Sequence, residues 1–301
     1  MFIGVRWGSL YTKIIAWSFV PTVLILVTVA LVTFYAYERV TENLVIARDQ
    51  ELVRLSASQL TVELDEYTNL LALAARIMAA SPAEAEQTLR ENSSRLVIFD
   101  GGVVMLDNFG RVVAAGPERA RIIGQDWSDR SYFRQMARTP RPIFSDIVTD
   151  GPQGLEVIAL AVPVTGDQGE FLGVVVGMFR LGARTVSAFY GGIVKQRLGE
   201  SGQTYLIDST GRVIYHSDIN RIGEDFSTQP VIQAAKAGRT GSIRTRDLTG
   251  RDIVAGYAPV PGTPWALVTE ESWTALTSAS QSYRWSLLYC WLWASLCRLW
   301  L

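Results

Sequence analysis

Leu106-Asp107-Asn108-Phe109-Gly110-Arg111-Val112-Val113 is matched further along the chain by Ile207-Asp208-Ser209-Thr210-Gly211-Arg212-Val213-Ile214. In each copy a β-type run meets D-x-x-G and a second β-type run follows. Asp in such a turn accepts from nearby backbone N–H groups and Gly takes the left-handed conformation, so each stretch predicts a tight hairpin. A second matched cluster follows each hairpin: Ile123-Gly124-Gln125-Asp126-Trp127-Ser128 against Ile222-Gly223-Glu224-Asp225-Phe226-Ser227. Val157 to Val164 with Phe171 to Met178 then parallels Ile253 to Val260 with Trp265 to Glu270, two closing hairpins. The chain is therefore read as two copies of one unit in series, each an antiparallel sheet with helices over one face, in an α+β fold.

Upstream of the repeat, residues 14–37 form a run of 24 residues without a charge, preceded by Arg6 and Lys13. A helix of that length spans about 36 Å, enough for a hydrocarbon core of about 30 Å. The run exceeds a signal-peptide core of about 7 to 15 residues, so a retained transmembrane helix is expected. The basic residues before it place residues 1–13 in the cytoplasm and the following chain outside. From there to Pro82 neither Gly nor Pro interrupts the pattern, and Ile46, Val53, Leu60, Tyr67 and Ala74 recur every seven residues, with Leu64, Leu71 and Met78 beside them. This predicts a long amphipathic stalk helix over 38–82, forming a homodimer contact near the membrane and lying on its own sheets further out. Residues 283–301, apolar and rich in Trp, read as a second membrane segment of atypical or truncated character.

Composition excludes several classes of function. The 301 residues are 49% apolar and 19% charged, with 28 Lys and Arg against 29 Asp and Glu. That balance offers no basic footprint for nucleic acid. The only cysteines, Cys290 and Cys297, lie in the C-terminal tail, and His216 is the single histidine. Neither a Cys metal site nor a Ser-His-Asp or Cys-His nucleophile is legible, so no enzyme activity, metal or cofactor is expected. His216 is read as a surface or turn residue, and Asp107 and Asp208 as turn residues.

The anchor, the stalk, the two D-x-x-G-R-V hairpins and Asp129-Arg130-Ser131-Tyr132-Phe133 in the first unit together resemble the double Cache sensor domains of bacterial chemoreceptors, histidine kinases and cyclic-di-nucleotide enzymes, over roughly residues 38 to 280. The resemblance implies two PAS-like modules, a membrane-distal one over 83–184 that holds a small ligand and a membrane-proximal one over 185–280. It also implies an extracytoplasmic sensor in the cell's inner membrane, with any catalytic output domain beyond this chain. The rival reading is a membrane-anchored scaffold that captures a solute or partner without signalling output.

Within the first unit, Arg130 and Tyr132 fall opposite Gln229 and Val231 of the second when the copies are aligned on Trp127 and Phe226. A guanidinium near a helix start clamps a carboxylate, and Trp127, Tyr132, Phe133 and Phe144 would wall a small pocket. The expected site is therefore Arg130, Tyr132, Trp127, Phe133, Phe144 and Asp146. In the amino-acid-sensing branch that the chain resembles, a later Asp holds the ligand's amine. Phe179 stands at that place here, so a small carboxylate or other anion is favoured, unless Asp146 or Asp150 replaces the missing acid.

Overall fold

The computed structural model describes residues 10–80, 85–182, 202–247 and 249–276. The expected second membrane segment, residues 283–301, lies outside them. The chain divides into two compact units, Met1–Arg48 and Asp49–Leu301. Helix α1 covers Leu10–Ala80 and takes in both the expected membrane stretch and the expected stalk. Among the described residues no helix is long and apolar enough to cross a membrane; several side chains of residues 14–37 are outside the described set.

In the second unit two short helices, α2 (Ala85–Glu91) and α3 (Ser93–Leu96), lead into the first sheet. Its strands are β1 (Gly102–Asp107), β2 (Val112–Ala115), β3 (Ile143–Val148), β4 (Val157–Thr165) and β5 (Phe171–Arg180). They lie in the order β2-β1-β5-β4-β3, with every pair antiparallel. Helix α4 (Ser131–Arg138) joins β2 to β3. The second sheet repeats the plan with β6 (Gln203–Ile207), β7 (Val213–His216), β8 (Gly241–Arg246), β9 (Asp252–Pro259) and β10 (Ala266–Ser272), ordered β7-β6-β10-β9-β8, and helix α5 (Pro230–Lys236) stands where α4 does.

The matched turns have matched geometry. Asp107 Oδ1 accepts from the backbone N–H of Phe109 and Arg111, and Asp208 Oδ1 from those of Thr210, Gly211 and Arg212. Gly110 and Gly211 sit at φ +87° and +98°, and a Cβ on either would meet the backbone of Ser128 or Ser227 at 2.7 and 2.9 Å. Glycine is required twice over, by the left-handed backbone and by the close approach of the next loop.

Side-chain alternation along the strands makes two faces per sheet. One face of each sheet, with Val103, Met105, Leu160 and Val175 from the first and Leu206, Ala258 and Leu267 from the second, shares a single core with Val53, Leu60, Leu64, Leu71 and Met78 of α1. From Val53 onward the seven-residue stripe thus buries itself on the molecule's own sheets. The opposite face of the first sheet packs under α4 through Val104, Leu106, Tyr132 and Met136, and that of the second under α5 through Tyr205, Ile207, Val231 and Ile232. It is these outer faces that carry the polar groups with chemistry.

The two modules are joined at the end of β3. Asp146 Oδ1 and Oδ2 accept from the Ser209 N–H at 2.9 Å and its hydroxyl at 2.7 Å. Trp265 Nε1 donates to the Ser145 carbonyl at 3.0 Å, and its indole meets the Phe144 ring edge-on at 5.1 Å.

Candidate functional site

In the first module, the start of α4 and the loop after β3 bring Arg130, Tyr132 and Asp150 together. The Tyr132 hydroxyl donates to Asp150 Oδ2 at 3.0 Å, and Arg130 Nε lies 2.9 Å from Asp150 Oδ1. The second contact is an ion pair without a directed hydrogen bond, since the buried Nε has no partner in hydrogen-bond geometry. The Asp150 side chain is 2% exposed and that of Arg130 37%. Burial pushes the Asp150 carboxyl up, opposed by Arg130, the Tyr132 hydroxyl and Arg119. Burial and then Asp150 push the Tyr132 phenol far above its ordinary value, so it stays a donor. The loop that aims Asp150 holds Gln153 at φ +58°, a strained backbone for a residue with a side chain.

Arg119, in the 3₁₀ turn Pro117–Ile122, completes this group and is itself 5% exposed. It donates to the Asp150 backbone oxygen, touches Met178 Sδ at 2.7 Å and lies over the Trp127 ring at 5.4 Å; Arg130 approaches the same ring at 5.7 Å. Its stem passes so close to Gly102 that a Cβ there would meet Arg119 Cδ at 2.7 Å. Two guanidiniums, one indole, one phenol and one carboxylate thus form a compact constellation that can hold both an anion and a cation.

The second module places a cavity of about 150 Å³ on the corresponding outer face. Tyr205 donates to Glu270 Oε1 at 2.6 Å, and its ring stacks on His216 at 5.4 Å between centroids. Arg221 lies over Phe226 at 4.4 Å and its Nε donates to Glu224 at 3.2 Å. His216 is 3% exposed, a correction to its reading as a surface residue. Its Nδ1 accepts from the Asp218 N–H at 2.8 Å, while Nε2 is buried without a partner. Burial, then Arg221, push the imidazole down, against the Asp218 carboxylate; the neutral ring with its proton on Nε2 follows. Burial pushes the Glu270 carboxyl up, opposed by the Tyr205 hydrogen bond.

The sequence profile of the family described as Cache domain, in its double form, matches residues 37–280. The chain belongs to the double Cache family. Solved structures agree on the fold. The extracellular ligand binding receptor from Desulfohalobium retbaense superposes with a TM-score of 0.59 at 18% identity, covering 73% of this chain and 39% of the receptor's own. The extracellular domain of the putative histidine kinase rpHK1S-Z16 gives 0.59 at 21%, covering 76% of this chain and 95% of the other. The ligand-binding domain of the Pseudomonas fluorescens chemoreceptor CtaA in complex with L-isoleucine gives 0.60 at 16%, covering 81% and 98%. No curated protein matches the sequence.

On this double Cache frame the expected residues separate. Trp127, Tyr132 and Phe133 are buried in the core beneath α4, and Arg130 joins Tyr132 at Asp150. Phe144 belongs to the other face, against Trp265, and Asp146 is engaged by Ser209 of the second module. Neither is placed beside the Arg130 group: Phe144 stands opposite Leu160 on the α1 face, and the register of β3 shifts beyond it, between Phe144 and Ile147. Phe179 also points away, to Tyr67 and Phe99, at 5.5 and 5.1 Å. Asp150 supplies an acid at the site from another element. Arg119 and the His216 cavity are groups that reading the sequence missed.

Proposed function

We propose that the chain is the ligand-sensing portion of a transmembrane receptor and that its first module takes a small α-amino acid. The observation that carries this is Asp150, held between Arg130 and Tyr132 on the same face as Arg119. An amino acid would exchange the internal Arg130–Asp150 pair for two intermolecular ones, its carboxylate on the guanidiniums and its ammonium on Asp150, without adding an unpaired charge. A plain carboxylate leaves Asp150 uncompensated, so the zwitterion replaces the simple anion favoured by the sequence. The L-isoleucine complex of the similarly folded chemoreceptor domain is in keeping with this. Residues 14–37 would form the anchor; Leu24, Ile25, Val29, Leu31, Val32 and Tyr35 are each more than half exposed there, as lipid-facing side chains would be.

The test is thermal unfolding of the full chain in mild detergent against L-amino acids and the matching amine-free carboxylates. A ligand at 100 times its Kd adds about 2.7 kcal/mol. The expected result is stabilisation by an amino acid that Arg130→Ala and Asp150→Asn each abolish. A carboxylate that stabilises equally well, and still does so in Asp150→Asn, would reject the zwitterion.

A further inference from the structure

The two modules differ at one place that the internal repeat makes directly comparable. Gly102 pairs with Met178 across β1 and β5, and at the equivalent position Gln203 pairs with Glu270 across β6 and β10. In the first module this spot is filled by the Arg119 side chain, which lies against both Gly102 and Met178. Counting back from Ile123 and Ile222, each the C-cap of its 3₁₀ turn, the residue in Arg119's place in the second module is Asp218. That side chain is short, is turned onto the Asn220 N–H and side-chain amide at 3.1 and 3.0 Å, and leaves the space over Gln203 and Glu270 open as the 150 Å³ cavity.

The charge around that opening also differs, with Asp218, Asp247 and Glu270 beside Arg221 and Arg251. Arg251 is paired with Asp247 at 2.8 Å and Arg221 with Glu224 at 3.2 Å. Among the described residues, the hydrogen-bond partner of the Glu270 carboxylate is the neutral Tyr205 hydroxyl. Arg221 and Arg251 line the cavity and act on Glu270 through space, but each is hydrogen-bonded to its own carboxylate, and among the described residues no guanidinium occupies the place that Arg119 fills in the first module; the buried His216 Nε2–H on the cavity wall still requires an acceptor.

We propose that the second module binds a compact organic cation, an ammonium compound carrying an oxygen acceptor, in the space that Arg119 fills in the first. Its ammonium lies on Glu270 and its oxygen accepts from His216 Nε2–H, while Tyr205 and Phe226 provide aromatic walls. This site is separate from that of the first module and stands whether or not the first takes an amino acid.

Because His216 is the single histidine of the chain, ¹⁵N-histidine labelling of the full chain in detergent gives one imidazole signal and a direct reporter. Ethanolamine and glycinamide are the probes, with glycolate as the anion of similar size. The expected result is a saturable shift of the His216 Nε2 resonance with the two cations and none with glycolate. Glu270→Gln, which keeps an acceptor for Tyr205, should weaken binding about tenfold or more. Asp218→Arg, which restores the long side chain of the first module, should fill the cavity and abolish the response, and Arg130→Ala should leave it. A His216 signal unmoved by either cation up to about 10 mM, tighter binding of glycolate, or a response that survives both Glu270→Gln and Asp218→Arg would overturn the proposal.

Discussion

Trp265 of the second module donates its indole N–H to the Ser145 carbonyl of the first, at 3.0 Å, inside the core that both sheets share with α1. Both ends of the bond are buried, so its loss leaves a carbonyl unsatisfied. Trp265→Phe should cost about 1–3 kcal/mol in urea unfolding, and Trp265→Ala about 3–5 kcal/mol as a cavity is added. A Phe variant as stable as the parent would show that water replaces the indole there.

Leu71 and Leu73 test which face of α1 is structural. Leu71 is fully buried in the shared core and Leu73 is half exposed. Leu71→Ala should destabilise by about 2–5 kcal/mol and Leu73→Ala by no more than about 0.5 kcal/mol. Equal losses would indicate that Leu73 is covered by another chain, and sedimentation of the two variants would then separate dimer contact from core packing.

The Tyr132–Asp150 bond is suited to a double-mutant cycle. Tyr132→Phe should cost about 1–2 kcal/mol, and less in an Asp150→Asn background, with a coupling of about 0.5–3 kcal/mol. Additive losses would mean that the hydroxyl and the carboxylate are not coupled in solution.

His216 makes a pH prediction of definite sign. Its folded-state pKa is pushed down by burial and by Arg221, against the pull of Asp218 and Glu224. A buried neutral imidazole takes up its proton more readily after unfolding, so its contribution is fully present above the unfolded value of about 6.5 and is lost as pH falls toward the depressed folded value. Glu270 and Asp150, pushed up by burial, act in the opposite direction at lower pH. The melting temperature of the parent minus that of His216→Phe should therefore decline on acidification below about 6.5. A difference that stays flat from neutrality down to pH about 5 would contradict a depressed imidazole.

How much of this was readable in the sequence depended on whether each residue's role was set locally. The D-x-x-G turns were legible because the hydrogen bonds of Asp and the left-handed backbone of Gly are set within four residues; the close approach of Ser128 and Ser227 to those glycines was not. The burial of Val53, Leu60 and Leu71 followed from helical spacing, although spacing alone could not choose between a partner helix and the sheets. The places of Phe144, on the α1 face opposite Leu160, and of Asp146, against Ser209, were not legible because they depend on which strand and which module lie beside β3. Arg119 was passed over since a basic residue in a polar turn reads as solvated; only Gly102 opposite it, lacking a side chain, hints that something long lies across the strand. His216 could have been found. The repeat sets it against Tyr205 as Ala115 is set against Val104, and two rings in register on a buried face are not a surface turn.

The seam along α1 has a mechanical consequence. Val53, Leu60 and Leu71 sit in one continuous cluster with side chains from both sheets, so strain arising in either module reaches the helix through the same interlocked residues. A substitution at the seam is therefore expected to loosen both sheets at once.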